Sequence, residues 1–424
     1  MSELIQPVKG MNDVLADQSP WWDRLDVVAA ELFASYGYQR VRLPVLERTD
    51  LFKRSIGELT DIVSKEMFTF DDYGDSLTLR PEGTAGTVRA ALSNGLLHNQ
   101  QQKLWLAGPM FRREKPQKGR YRQFHQISVE ALGFAEPEID AELIAMSARL
   151  WRELKLSSAK LELNSIGTAA SRQVYKQVLV EHFSRHRELL DEESLRRLDR
   201  NPLRILDSKN PALRELIDAA PLLSAYLDDE SRAHFDRVQE LLGDIDVPFR
   251  LNPRLVRGLD YYSRTVFEWI TDRLGAQSAI CSGGRYDGLV AQLGGRETPA
   301  VGWALGIERV VEVLQAEGVG AAEALPDAHV VAAGDAERRF AFKLAELLRA
   351  RLPGLRLALG APAAGFKAQL RRADKSGARF ALIVGTAEVE AGKISLKSLR
   401  EDQPQRLVTV EECVELLRQT RRSA

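Results

Sequence analysis

A chain of 424 residues with 44% apolar content can bury two or three cores, and its apolar residues nowhere run long enough to cross a bilayer. Its first residues, MSELIQPVKGMNDV, lack a basic segment followed by an apolar one, so a cytoplasmic protein is expected, without a secretory leader and without a membrane partner. The two cysteines, Cys281 and Cys413, stand far apart with no Cys-x-x-Cys spacing, which excludes a disulfide scaffold and a cysteine-based structural zinc site.

Taken in chain order, Trp21 to Tyr36 reads as an amphipathic helix, with Leu25, Val28, Ala29 and Leu32 at three-and-four spacing and Gly37 as its stop. Val41 to Leu46 reads as an extended segment whose Pro44 suits an edge or a strand end. Short strands are expected at Leu77–Arg80, Leu104–Ala107, Gln123–Phe134, Thr265–Ile270 and Ala279–Ser282, joined by hairpin-like links that favour an antiparallel sheet. Between about 169 and 245 the periodicity turns helical and charged, broken at Asn201-Pro202 and Asn210-Pro211; strand-like sequence resumes afterwards, so this is a helical insertion into one domain. Glu317–Pro326 reads as a linker. Beyond it, strands at Val330–Ala332, Leu355–Leu359 and Phe380–Val384 alternate with helices at Arg338–Arg351, Phe366–Lys375 and from Glu411, the pattern of a small α/β domain with a mostly parallel sheet. The fold class is therefore α+β: residues 1–325 as an antiparallel-sheet domain interrupted at about 169–245, followed by 326–424 as the α/β module. Charge divides the same way. Residues 327–424 carry 18 Lys+Arg against 12 Asp+Glu, while the rest of the chain carries 41 against 48, so the module is basic and the body acidic. A polyanionic partner fits the module.

The densest chemistry lies in Gly108–Gln126, GPMFRREKPQKGRYRQFHQ. Six cations face one carboxylate between Arg112 and Arg122, too lopsided for ordinary surface pairing, and Phe124 supplies a ring face. Guanidinium for phosphate, Glu114 for an amino group and an aromatic for stacking suit a nucleotide. Arg80-Pro81-Glu82-Gly83-Thr84 breaks from a strand into a turn bearing a carboxylate and a hydroxyl, which could hold an amine; a helix N-terminus favoured by Glu82 is the equal alternative. Arg257-Gly258-Leu259-Asp260-Tyr261-Tyr262 sets an arginine beside two tyrosines that, in a strand, would face opposite ways. Gly283-Gly284-Arg285-Tyr286-Asp287-Gly288 permits close backbone approach to a ligand or makes a tight turn. Gly302–Arg309 leads into an apolar helix with Arg309 at its start, an unfavourable place against the dipole unless an anion lies there. His182 and His186 are one helical turn apart with no third ligand, so no metal site is assigned.

In order, these segments resemble the three signature motifs of class II aminoacyl-tRNA synthetases: Gly37–Leu46 with Pro44, Phe111-Arg112-x-Glu114 with Arg120-x-x-x-Phe124, and Gly302–Arg309. The runs at Arg80–Thr84, Arg257–Tyr262 and Gly283–Leu289 look like those peculiar to the histidyl-tRNA synthetase family in its bacterial form. The resemblance spans essentially the whole chain. It implies activation of L-histidine by ATP to histidyl-adenylate and transfer to the 3′ end of tRNA(His). In that reading Arg257 and Arg112 are the catalytic cations. ATP lies against Phe124 with its amino group near Glu114 and its phosphates toward Arg112, Arg120 and Arg309, and Mg²⁺ accompanies the pyrophosphate. Histidine is held by Glu82, Gly83, Thr84, Arg112, Gln126 and Arg257, with Glu130 and Tyr262 at its imidazole and Tyr261 and Tyr286 lining the pocket. An amino acid without ring nitrogens would strand a buried Glu130, worth roughly 10⁴-fold in discrimination. Gln117, Lys118 and Arg122 would meet the tRNA acceptor end and the basic module its anticodon; motif 1 implies a homodimer. Ala304 stands where many class members have glycine, and Cys281-Ser282 precede the glycine run where smaller residues are usual; neither removes a charge or donor. The rival is a histidine-sensing regulatory subunit of ATP phosphoribosyltransferase, which shares the catalytic fold but typically lacks the C-terminal module and loses site residues.

Overall fold

A computed structural model describes residues 4–57, 60–117, 119–206, 208, 210–275, 279–320, 325–360 and 364–422. Lys118 and residues 321–324 of the expected linker lie outside the described residues. The chain divides into two compact units, 1–321 and 322–424. No helix among the described residues is long and apolar enough to cross a membrane.

The first unit is organised by an eight-stranded sheet. In spatial order its strands are Gln39–Arg40, Gln102–Phe111, Gln123–Leu132, Ala300–Gly306, Ala279–Arg285, Ser263–Ile270, Lys160–Ser165 and Phe249–Leu251. All neighbours are antiparallel except the two edge pairs. The long hairpin of Gln102–Phe111 and Gln123–Leu132 runs in unbroken register from Gln102↔Leu132 to Phe111↔Gln123. The period-two rule then sorts its second strand: Ile127, Val129 and Ala131 join the core under one face, while Phe124, Gln126, Ser128 and Glu130 point to the other.

That core is closed by three helices, Ser19–Ser35, Pro137–Leu154 and Ile307–Ala316, whose Leu25, Phe33, Leu150 and Leu314 are fully buried against Trp105 and Trp303. The segment expected as one extended run at Val41–Leu46 is instead two short strands, Gln39–Arg40 in the large sheet and Leu46–Arg48 in a three-stranded sheet with Phe68–Asp72 and Asp75–Leu79. Pro44, which cannot donate to a ladder, lies in the link between the two sheets. Between Lys160–Ser165 and Phe249–Leu251 the chain forms helices Ala169–Ser184, Glu192–Arg200, Arg214–Asp218 and Asp229–Asp244, joined by short 3₁₀ turns.

The second unit carries a five-stranded sheet. Leu357–Leu359, Ala328–Ala332 and Phe380–Val384 are parallel, and Ile394–Ser398 and Arg406–Val408 continue it antiparallel. The sheet is thus less parallel than the alternation implied. Lys397 and Arg406 interrupt the apolar signal of the last two strands, which hides them from a pattern reading.

Candidate active site

On the sheet face opposite the three helices, a cavity of about 190 Å³ opens above the strands Gln123–Leu132 and Ala300–Gly306. Its floor is made by register. Gly302, Ala304 and Gly306 sit across from Glu130, Ser128 and Gln126, so small residues on one strand leave room above polar ones on the next. Gly302 has no freedom here: a Cβ would stand 2.5 Å from the Val129 carbonyl and inside van der Waals contact of Glu130 Oε2.

The cavity gathers side chains from stretches far apart in sequence. Glu82, Thr84, Arg112, Glu114, Arg120, Phe124, Gln126, Arg257, Tyr261, Tyr262 and Arg309, all named from the sequence, line it together. Glu130 and Tyr286 lie behind this wall. Glu130, 1% exposed, accepts a hydrogen bond from Thr84 Oγ1 at 2.7 Å on one oxygen and from the Tyr286 hydroxyl on the other. The carboxylate therefore does not depend on a ring nitrogen for all its partners, because two hydroxyls of the chain already donate to it. Burial raises its pKa to about 8, against the lowering by the Tyr286 and Thr84 hydroxyls.

Glu82 meets both of the alternatives left open above. Its carboxylate accepts from the backbone N–H of Thr84 at 2.6 Å and Ala85 at 2.9 Å, so it caps the helix Thr84–Ser93 while lining the cavity. Burial raises its pKa, and those two backbone bonds pull the other way. Gly83 does not line the cavity; a Cβ there would meet Ser128 Oγ at 2.8 Å. The Oε1 of Gln126 is buried with no hydrogen-bond partner among the described residues, at the cavity wall.

The opposite end is cationic. Arg112 donates from Nε to the Pro81 carbonyl at 2.9 Å and stands 5.2 Å from the Phe124 ring centroid. Arg120 contacts Glu114 and lies 3.8 Å from Glu66. Arg309, at the start of its helix, donates to the carbonyls of Gly119 at 2.9 Å and Ala279 at 2.8 Å, tying the 112–122 loop to the sheet. Its pKa is lowered, first by burial and then by Arg112 and Arg120. Three guanidiniums crowding one another in a buried space favour an anion between them.

Arg257 is paired with Glu268, and its Nε is buried with no hydrogen-bond partner among the described residues. Burial works most strongly against its charge, but Glu268 together with Tyr262 and Tyr261 outweighs it and leaves its pKa raised. Glu268 was not singled out from the sequence, although a lone carboxylate between Phe267 and Trp269 in an apolar strand is the signal that could have found it. Glu308 was missed too; its oxygens accept from the His125 backbone N–H at 2.9 Å and meet His125 Nδ1.

Two expectations are corrected. Tyr261 and Tyr262 do not face opposite ways: they precede the strand Ser263–Ile270, their ring centroids are 4.8 Å apart, and both reach the cavity. Gly283 and Gly284 serve close strand packing and not a ligand, because a Cβ on either would strike backbone of the adjacent strand, the Thr265 carbonyl at 2.5 Å in the case of Gly284. Of the loop residues expected at the tRNA acceptor end, neither Gln117 nor Arg122 lines the cavity: Gln117 is exposed, and Arg122 donates from Nε to the Glu114 carbonyl at 3.3 Å. His182 directs Nε2 to the Leu216 carbonyl at 3.0 Å, a structural use.

Comparison with known proteins settles the lineage. The model of the family described as histidyl-tRNA synthetase matches residues 10–310, and that of the anticodon binding domain matches residues 327–420. The chain belongs to the histidyl-tRNA synthetase family. It is 52% identical over 419 residues to histidine–tRNA ligase of Hydrogenovibrio crunogenus, covering 99% of this chain and 98% of the relative. Its fold is similar to that of apo histidyl-tRNA synthetase of S. aureus, with TM-score 0.82, 35% identity and coverage of 98% and 100% of the two chains. An ATP phosphoribosyltransferase regulatory subunit/histidyl-tRNA synthetase from Bacillus halodurans C shares the fold at TM-score 0.66 and 22% identity, covering 91% of this chain and 99% of its own.

Proposed function

We infer that this protein is a histidine–tRNA ligase, which joins L-histidine to ATP and passes the histidyl group to the 3′ end of tRNA(His). The observation that carries the reading is one cavity with two chemically distinct ends. Behind the wall at one end, Glu130 is held between two hydroxyls, and the other end is lined by Arg112, Arg120 and Arg309.

Amino-acid activation brings a carboxylate onto an α-phosphate, two anions that repel, so cations must stand at the forming bond. Arg257 and Arg112 take that role. Arg257 is kept charged by Glu268, and its unpartnered buried Nε is available to an incoming oxygen. Adenine stacks on Phe124 with its amino group toward Glu114, and the phosphates run to Arg120 and Arg309. Mg²⁺ enters with the triphosphate, as part of the nucleotide substrate. Glu82 and Thr84 take the α-amino group of histidine, Gln126 uses its free Oε1 for the same amine, and Glu130 with Tyr262 meets the imidazole, Tyr261 and Tyr286 closing the pocket.

For the second step, Gln117, Lys118 and Arg122 of the 112–122 loop contact the acceptor end, and residues 326–424 contact the anticodon. The protein works as a cytoplasmic homodimer. The test is histidine-dependent exchange of pyrophosphate into ATP, followed by charging of tRNA(His). Binding of histidine with no exchange would overturn the ligase reading in favour of the sensor.

A further inference from the structure

Behind the cavity lies a buried charged cluster that neither nucleotide nor amino acid would touch. Arg285 ends the strand Ala279–Arg285 and is 0% exposed, and all five of its N–H groups have acceptors. Its Nε donates to Asp140 at 3.1 Å; Nη1 donates to the Phe134 carbonyl at 2.9 Å and Asp287 Oδ1 at 3.1 Å; Nη2 donates to the Glu136 carbonyl at 3.3 Å and to Asp140. Asp140, also 0% exposed, belongs to the helix Pro137–Leu154. On its other side, 3.3 Å from Oδ1, is Nε2 of His234, from the last helix of the insertion.

What this cluster holds is the residue between its two clamped neighbours. Tyr286 follows Arg285 and precedes Asp287, whose Oδ1 also accepts from the Ala300 backbone N–H at 3.0 Å, and the Tyr286 N–H donates to the Ala300 carbonyl at 2.7 Å. With both flanks pinned, the Tyr286 hydroxyl has one place to go, and that place is Glu130. Stability is a poor reason for such a pair. A buried ion pair is often matched or exceeded by apolar packing of the same volume, and its best-attested use is to fix one arrangement.

We propose that Asp140 and Arg285 are positioning residues for amino-acid selection, setting Tyr286 against Glu130 and, through His234, coupling the imidazole face to the helical insertion. This rests on the reading above that Glu130 and Tyr286 form the histidine end of the cavity. Loosening the clamp costs histidine affinity and leaves the nucleotide end, whose Arg112 and Arg120 are held by Pro81 and Glu114, unaffected.

The experiment uses the full-length chain in pyrophosphate exchange, with KM for histidine, KM for ATP and kcat measured separately. Asp140→Asn should raise the histidine KM about tenfold or more, leaving the ATP KM within about twofold and kcat within about threefold, because uniform binding of one substrate is what is lost. Arg285→Lys keeps the charge but loses the planar fork, and should give the same split at about fivefold or more. If Asp140→Asn does not fold, Arg285→Lys decides alone. Tyr286→Phe is run beside them. A raised histidine KM in Tyr286→Phe, with the folded clamp variants unchanged, would reduce the cluster to scaffolding and overturn the proposal. An unchanged histidine KM in Tyr286→Phe would instead remove the reading on which the proposal rests, and the proposal with it.

Discussion

Thr84 Oγ1 donates to Glu130 Oε1 across 2.7 Å, joining the N-terminus of one helix to the central hairpin near its open end. With the Tyr286 hydroxyl on the other oxygen, Glu130 has its hydrogen bonds supplied before any substrate arrives. On the proposed reading, selectivity for an imidazole comes from exchanging or extending these bonds.

The first prediction concerns protons. Glu130 has its pKa raised by burial to about 8 from an ordinary 4.5, so between these values the folded chain holds a proton that the unfolded chain has lost. Stability from the neutral carboxyl is complete below the ordinary value and is lost as pH rises toward the folded one. Relative to Glu130→Gln, the wild-type chain should lose stability, on the order of a few kcal/mol, between pH 5 and 8 in urea unfolding. An imidazole N–H donated to Glu130 favours the ionised form, so histidine binding near pH 7 should release a proton. Calorimetry in two buffers of different ionisation enthalpy measures that release, and Glu130→Gln should abolish it while raising the histidine KM about a hundredfold.

Gly302 should tolerate no side chain. Its built Cβ overlaps Glu130 Oε2 and lies 2.5 Å from the Val129 carbonyl, and backbone cannot move aside as a flexible side chain can. Gly302→Ala is expected to cost about 2–3 kcal/mol of stability and to raise the histidine KM with little effect on the ATP KM. Gly306 faces only the flexible stem of Arg309, at 3.8 Å or more, so Gly306→Ala serves as the tolerated control in the same assays.

Much of this site was legible because its parts are local. The excess of cations in the 112–122 loop marked a place for anions, while Gln126 and Glu130 were named through the family resemblance. What escaped the sequence was long-range or lay at element boundaries. Arg285 finds Asp140 across 145 positions of chain, and Arg257 finds Glu268 by a turn whose shape no local pattern encodes. Tyr261-Tyr262 looked like strand because both residues favour strands, yet the ladder begins at Ser263, and only there does alternation apply. The glycines of Gly283-Gly284 look alike whether they make space for a ligand or for another strand, and sequence cannot distinguish the two.

Arg257 should separate chemistry from binding. It is buried beside Glu268 with Nε unpartnered among the described residues, and Tyr262 lies under it with the ring centroid 5.4 Å from Cζ. Arg257→Ala is expected to lower the rate of adenylate formation about 10³-fold in single turnover, while histidine and ATP binding stay measurable by calorimetry. Because buried Glu268 loses one of its cationic neighbours and keeps Arg309, Arg257→Ala should also lose some stability, and the double variant with Glu268→Gln should recover part of that loss without recovering rate.

Asp228 should show the opposite pH sign to Glu130. It caps the helix Asp229–Asp244 through the Ser231 N–H at 2.8 Å, and also accepts from Ser171 Oγ at 2.7 Å and Thr168 Oγ1 at 3.0 Å at the start of the helix Ala169–Ser184. One carboxylate therefore joins the N-termini of the first and last helices of the insertion. Partial burial opposes its charge, but these hydrogen bonds prevail and its pKa is lowered from the ordinary 3.8. Its contribution is present above that value and disappears as pH falls through the folded one. Asp228→Asn keeps a capping oxygen but loses its charge, and should cost about 1 kcal/mol at neutral pH, the extra worth of hydrogen bonds to a charged group reduced by contact with water. The gap to wild type should narrow as pH falls below about 4, because the unfolded wild-type chain then takes up a proton that the folded cap resists. Urea midpoints across pH 3 to 7 measure this, and a gap that stays constant or widens in acid would mean that Asp228 acts there by shape and not by charge.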